Sequence, residues 1–265
     1  MEVKLLLQHL YRTFIELTNH QGSSKLIRKF TFSKWSRFVI PSYTKVFKVN
    51  KEEMDKPLHH YQTLHELFIR RLNPSARPVD QQKDSVVSPV DAKIEAYGVI
   101  TPQKEMIVKN KPYSIQEMVS NDLILEKYIE GQFIILYLSP KDYHRIHSPL
   151  KAQVGNTWTV GQKSYPVNSL GIKYGKEPLV KNFRKLTELT FENGHMLMVK
   201  VGAMFINSIE AVSKKEVVEK GEEMAYFTFG STVILLFEKN SITFDSNVHS
   251  GSYVKYGEPI AHLKK

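Results

Sequence analysis

The chain has 265 residues, 37 Lys and Arg against 27 Asp and Glu, and a formal net charge of +10. That length can bury a sizeable core, and the basic balance suits an acidic partner such as an anionic lipid surface or nucleic acid. With no cysteine in the sequence, disulfides, thiolate metal sites and cysteine nucleophiles are excluded.

Leu6, Leu7, Leu10, Tyr11, Phe14 and Leu17 are spaced for one face of a helix. The apolar run that begins at Leu5 is broken at Gln8 and His9, far short of the roughly 20 residues that cross a bilayer. No small-residue cleavage site follows it, so a secretory signal is not expected. Lys25, Arg28, Lys29, Lys34, Arg37 and Lys45 then alternate with Leu26, Ile27, Phe30, Phe32, Trp35, Phe38 and Ile40. Positive charge beside large aromatics is the composition of a segment lying in an anionic interface, and equally of amphipathic helices with a solvated basic face.

Thr63-Leu64-His65-Glu66 reads as a capping box opening a helix over 63–72, stopped by Pro74. His59, His60 and His65 are assigned to surface or packing positions. From about residue 84 the pattern becomes short strands and turns, as in a β-sandwich or barrel. Two echoes occur. Ser88-Pro89-Val90-Asp91-Ala92-Lys93-Ile94 recurs as Ser148-Pro149-Leu150-Lys151-Ala152-Gln153-Val154, and the 218–225 segment recurs at 254–261 around Gly221 and Gly257. The second pair is similar to the turn of biotinyl- and lipoyl-type half-barrels. The predicted fold is α+β and mainly β, with duplicated lipoyl-like half-units in one sandwich behind N-terminal amphipathic helices.

After the apolar strand Phe133–Leu138, Ser139 as N-cap, Pro140 and Asp142 predict a short helix ended by Pro149. His144 and His147, three apart, would share its face. Two histidines there suit acid/base chemistry better than a metal, for which no third ligand is near, so none is expected. Finally, the apolar run Phe227–Phe237 is interrupted by Gly230-Ser231-Thr232, where glycine marks a bulge, kink or close backbone approach and a hydroxyl follows its carbonyl.

The segment 220–233 closely resembles the self-processing segment of the phosphatidylserine decarboxylases. The 142–149 stretch resembles that family's histidine motif, Ser88-Pro89-Val90-Asp91-Ala92-Lys93 its aspartate motif, residues 67–78 its entry segment and Val201-Gly202-Ala203-Met204 its pocket segment. The departures are Ala92 and Ala225, each where the family usually has glycine, together with Asn110-Lys111 and Asn182-Phe183-Arg184. The resemblance implies self-cleavage between Gly230 and Ser231 into a large chain (1–230) and a small chain (231–265), with Ser231 becoming a pyruvoyl group. It implies that Asp91 and His147 form a charge relay with Ser231, and that His144 serves decarboxylation of phosphatidylserine to phosphatidylethanolamine through a Schiff base to the pyruvoyl carbonyl.

On this reading residues 1–80 are a helical membrane-associating region and 81–265 the catalytic domain. The protein would be peripheral on the cytoplasmic face of the cell membrane, with phosphatidylserine and an anionic surface as partners, no nucleic acid, and a homodimer left open. A Ser-His-Asp hydrolase that keeps its chain intact, or a non-catalytic basic membrane-binding module, accounts for part of the same residues; the Gly-x-Ser-x-Gly elbow of one large hydrolase class is missing.

Overall fold

The computed structural model describes residues 21–192, 194–203, 209–213, 215–228 and 231–264. The helix face expected over Leu6–Leu17 and the residues Met204, Phe229 and Gly230 lie outside that set.

The chain starts with helical elements: α1 (Gln21–Phe32), a 3-10 turn (Lys34–Val39), α2 (Ile40–Phe47) and α3 (Leu64–Phe68). Thr63 caps α3 as expected, its hydroxyl accepting the Glu66 N–H at 3.1 Å. The helix ends at Phe68, well before Pro74, where Ile69 leaves helical geometry (φ −91°, ψ 18°). Ile40, Val49, Met54, Tyr61, Leu64 and Leu67 form a small core of their own.

The strands follow, with short helices between them: β1 (Ser85–Val87), β2 (Ala92–Val99), β3 (Glu105–Val108), β4 (Lys111–Ser114), α4 (Ile115–Val119), α5 (Asp122–Leu125), β5 (Gln132–Leu138), β6 (Arg145–His147), β7 (Ala152–Val160), α6 (Ser169–Tyr174), α7 (Pro178–Lys181), β8 (Arg184–Phe191) and β9 (Gly194–Gly202). The remainder is β10 (Ile209–Ala211), β11 (Val217–Val218), β12 (Glu223–Phe227), β13 (Ser231–Phe237), β14 (Ile242–Phe244), β15 (Tyr253–Val254) and β16 (Pro259–Leu263). The protein is thus mainly β with added helices.

An antiparallel eight-stranded sheet runs β11-β7-β8-β9-β13-β5-β2-β15. Side chains alternate across it, so its inner strands such as β5, β8, β9 and β13 feed two cores. Val233, Leu235 and Phe237 of β13 face one core, closed by two three-stranded sheets, β1-β16-β14 and β10-β12-β6. Ile234 and Leu236 face the other, closed by the β3–β4 hairpin and α4 to α7. A strand covered on both faces needs a continuous apolar run, which is what β13 has.

The two sequence echoes meet each other in space. Gly221 donates its N–H to the Ser148 carbonyl at 2.8 Å, and Gly257 does the same to Ser88 at 3.1 Å. Ser148 and Ser88 return N–H bonds to Glu222 and Glu258, both at 2.8 Å, and Val87 and His147 donate across to Pro149 and Pro89, both at 2.9 Å. Both glycines have positive φ, +79° and +88°, and a Cβ on Gly257 would fall 2.8 Å from the Pro78 carbonyl oxygen. Any side chain there is strained twice over, by conformation and by space.

The interrupted run at 227–237 is not one bulged strand. Its first half ends as β12 in a small sheet and its second begins as β13 in the large sheet, so the break marks a crossing between layers.

Candidate active site at the start of strand β13

Ser231 opens β13, opposite Leu138 of β5 on one side and Gly202 of β9 on the other. Alternation turns its side chain to the same core as Val233. Its Oγ is buried and has no hydrogen-bond partner. A buried hydroxyl without a partner costs free energy, so it marks a place where something other than stability is being served. Asn182 braces the strand end beside it, its Nδ2 donating to the Gly202 carbonyl at 2.9 Å.

Beyond Leu138 the chain turns through 139–144. The expected helix does not form there. Asp142 Oδ2 accepts both the Ser139 N–H and its hydroxyl at 2.7 Å, the mark of a cap. Pairing then wins over helix propagation, because Arg145, Ile146 and His147 become β6 and join β12 with Ile146 opposite Ala225. His144 and His147 are therefore placed by a turn and a strand, and not by one helix face. Arg70, itself buried, holds the turn by donating to the Lys141 and Asp142 carbonyls at 2.6 and 3.1 Å. The Tyr43 hydroxyl of α2 donates to the Pro140 carbonyl at 3.0 Å, which ties the N-terminal helices to the same turn.

His144 is fully buried, with the Phe68 ring centroid 3.9 Å from its own. Its Nδ1 bonds the Asp142 carbonyl at 2.9 Å. A carbonyl only accepts, so Nδ1 carries the hydrogen and Nε2 is left as a bare acceptor, buried and without a partner. Burial, and then the Arg70 charge, push its pKa down to about 3, so the ring is neutral at pH 7. The His144 carbonyl accepts the Phe227 N–H at 3.0 Å, placing His144 beside the last strand residue before the Gly230-Ser231 junction.

His147 lies further along β6, opposite Glu223. Its Nδ1 donates to the Gly221 carbonyl at 2.9 Å, its Nε2 accepts from the Tyr143 hydroxyl at 3.2 Å, and Tyr256 stacks on its ring at 3.7 Å between centroids. Burial lowers its pKa to about 4. Asp91 faces Arg77, whose Nε donates to Oδ1 at 2.9 Å and whose Nη2 donates to Oδ2 at 2.6 Å; Oδ1 also accepts the Tyr256 N–H at 2.8 Å. Arg77 Nη2 reaches Glu53 at 2.7 Å as well.

The structure therefore gathers Asp91, His147 and their neighbours around Tyr256, and His144 beside the chain entering Ser231. Asp91 does not hydrogen-bond His147, and His147 does not hydrogen-bond Ser231: each imidazole nitrogen and each carboxylate oxygen is already engaged by the groups named above. The Asp91 side lines a cavity of about 270 Å³ with Arg70, Arg77, Lys141, Asp142 and Tyr143.

The phosphatidylserine decarboxylase family profile matches residues 64–262. The chain belongs to this family. It is 58% identical over 254 residues to the phosphatidylserine decarboxylase proenzyme of Anoxybacillus flavithermus, covering 96% of each chain. It is 55% identical to the proenzyme of that name from a Geobacillus species, covering 98% of this chain and all of the relative, and 52% identical to that of Geobacillus kaustophilus, covering 96% of each.

Several residues of this candidate site carry little signal in the sequence that would single them out. Arg77 stands in the 67–78 entry segment, yet nothing local links it to Asp91, 14 positions on. Tyr143 sits inside the histidine motif and could have been weighed as a partner. Tyr256 lies within the second echo, but its ring reaches His147 only through the contact between echoes. Asn182, part of a departure from the family pattern, has a structural role here, its side chain making three bonds, to the Tyr165 backbone and to Gly202.

Proposed function

We propose that this decarboxylase family member converts phosphatidylserine to phosphatidylethanolamine with a pyruvoyl group made from Ser231 when the chain cuts itself after Gly230. The observation that carries this reading is a buried, unpartnered hydroxyl at the first residue of a fully buried strand, together with a buried, unpartnered imidazole nitrogen on His144, whose carbonyl bonds Phe227 four residues before Ser231. The site suits the group: the Ser231 hydroxyl makes no hydrogen bond, so losing it strands no donor or acceptor.

In the cut, Ser231 Oγ attacks the Gly230 carbonyl and the amide becomes an ester, freeing the amine of residue 231. Elimination then removes the Cα proton of residue 231 and breaks the Cβ–O bond of the ester. The 1–230 chain leaves with a carboxylate end, and water replaces ammonia on the dehydroalanine that remains. His147, neutral at pH 7, is the proposed base for the hydroxyl, with Asp91 holding the tautomer and the developing charge. That role requires the Tyr143 hydroxyl to yield His147 Nε2.

A pyruvoyl carbonyl at residue 231 supplies the electron sink for the departing carboxylate. His144 starts neutral, so it cannot begin as an acid. It accepts a proton from the substrate ammonium through Nε2 and later returns it to the carbon that lost its carboxylate. Phe68 and Arg70 hold the ring in place for both transfers.

The membrane contact is assigned to the region 1–80, at the cytoplasmic face where anionic lipids attract its basic side chains. Among the described residues no helix is long and apolar enough to cross a bilayer. Leu26, Trp35, Phe38 and Val46 are each at least 70% exposed, flanked by exposed Arg28, Lys29, Lys34, Arg37 and Lys45. Tyr43 connects these helices to the His144 turn through its bond to the Pro140 carbonyl. The β region is read as two lipoyl-like half-units, supported by the reciprocal bonds of Ser88 and Ser148 with the turns at Gly257 and Gly221.

Denaturing mass spectrometry tests the reading. Wild type should give a chain ending at Gly230 and a 35-residue chain (265 − 230) lacking one ammonia. The two should copurify, because β13 pairs along its length with both β5 and β9. Ser231→Ala should stay whole, His147→Ala should stay whole, and His144→Ala should cut but lose most decarboxylation. An active, uncut wild type without a carbonyl would overturn the pyruvoyl reading.

A further inference from the structure

Lys200 is a charged side chain that the proposed chemistry does not use. It lies on β9 opposite Val233, two residues along from the Ser231–Gly202 pair and on the same face of the sheet as Ser231. Diagonal neighbours of this kind lie about 7–8 Å apart, within reach of a long side chain. Only 3% of Lys200 is exposed, and its Nζ donates to Thr187 Oγ1 at 2.6 Å.

The surroundings are wrong for a structural ammonium. Lys185 stands directly opposite on β8, and among the described residues no carboxylate is paired with Lys200: burial and the Lys185 charge both lower its pKa, to about 7. A buried cation with a like-charged neighbour is costly, and a methionine of similar length would fill the space without that cost.

Lys200 and Lys185 also line a cavity of about 290 Å³ between the large sheet and the β10–β12 layer, with Thr157, Thr187, Ser213 and Lys215. Lys215 is already paired with Glu222 at 2.7 Å. Glu216, at the same cavity, is exposed. Two ammonium groups and three hydroxyls facing one space form a site for an oxyanion.

We propose that this cavity binds the phosphodiester of the aminophospholipid headgroup, with Lys200 as its central ligand and Lys185 as its second, while the headgroup amine sits at residue 231. This rests on the decarboxylase reading above. The phosphorus lies only a few covalent bonds from the amine, which matches a cation one diagonal step from Ser231. Binding the anion gives the buried ammonium the counter-charge it lacks, so occupancy and substrate recognition are coupled. It also gives selectivity: free serine carries the amine and carboxylate but no phosphodiester.

The test uses the mature, self-cleaved enzyme and Lys200→Met, with Lys200→Arg as the charge-keeping control. Wild-type turnover on phosphatidylserine in mixed detergent micelles is measured first. A failure of the decarboxylase reading registers there as no product, whereas a failure of this inference registers as a Lys200→Met enzyme with unchanged KM.

The expected result is normal self-cleavage in Lys200→Met with KM raised at least about tenfold, which corresponds to about 1.4 kcal/mol, and a smaller change in kcat. Lys200→Arg should recover part of the KM. Calorimetry with glycerophosphoethanolamine, a soluble phosphodiester without the carboxylate, should show binding to wild type and none to Lys200→Met. Inorganic phosphate should bind wild type more weakly than the phosphodiester. Equal binding of the phosphodiester to wild type and Lys200→Met overturns the proposal. So does tighter binding of inorganic phosphate with KM unchanged, which would make the cavity a free-phosphate site.

Discussion

Arg77 shows how one side chain can organise a site from outside its chemistry. Its guanidinium satisfies Asp91 and Glu53 together; Arg77 and Asp91 are buried, and Glu53 is partly exposed. Fork-shaped recognition of this kind is what arginine does and lysine does not. Arg77→Met should therefore cost about 3 kcal/mol, the range for leaving one buried carboxylate, that of Asp91, uncompensated, as measured by urea unfolding of an uncleaved Ser231→Ala background. With Ser231 intact, Arg77→Met should also slow self-cleavage, because Asp91 would lose the group that aims it. Cleavage at the wild-type rate despite the lost stability would show that Asp91 needs no such aiming.

Within the N-terminal helices, the division of labour between packing and surface residues can be separated by mutation. Ile40, Leu64 and Leu67 are packed in the small core, whereas Trp35 and Phe38 are 74% and 77% exposed, with their ring centroids 6.1 Å apart. Exposed aromatics beside basic residues partition into the headgroup layer. Trp35→Ala with Phe38→Ala should leave the unfolding midpoint within about 0.5 kcal/mol of wild type, as expected for surface positions. The same variant should sediment less with phosphatidylserine vesicles, and the residual binding should fall further with salt as charge attraction is screened. Undiminished vesicle binding would move the contact to another face. Strand β13 poses the opposite case, since all seven of its residues are buried.

Across the molecule, three buried groups give stability a common dependence on pH. His144 and His147 have pKa values lowered by burial to about 3 and about 4. Below about 6.5 the unfolded chain takes up protons that the folded chain refuses, so stability falls as pH drops through that range towards 3 to 4. Lys200, lowered to about 7, acts in the same direction at higher pH: between about 7 and 10.5 the unfolded chain holds a proton the folded one has released, and stability rises with pH. Urea midpoints between pH 4 and 9 should therefore climb steadily. Lys200→Met should be the more stable protein at pH 7 and should flatten the upper part of the curve. A slope that does not change in Lys200→Met would mean that the lysine keeps its proton throughout.

Much of this protein could be read from its residues because those features are local. The Thr63 cap, the apolar strand β5, the change to strands near residue 84 and the glycine turns at Gly221 and Gly257 follow from short-range sterics, capping and periodicity. The family followed from motifs around Asp91, His144, His147 and Ser231. Tertiary pairing decided the rest. The 139–149 segment has the signals of a helix, yet β12 offered Ile146 a partner and the strand won. The break at 228–230 resembles a bulge until two sheets claim its two ends. Arg77 with Asp91, Tyr256 on His147, and Lys200 one diagonal step from Ser231 bring together segments far apart in the chain. They depend on register across strands and on which face each side chain takes, and those are settled only when the two cores close.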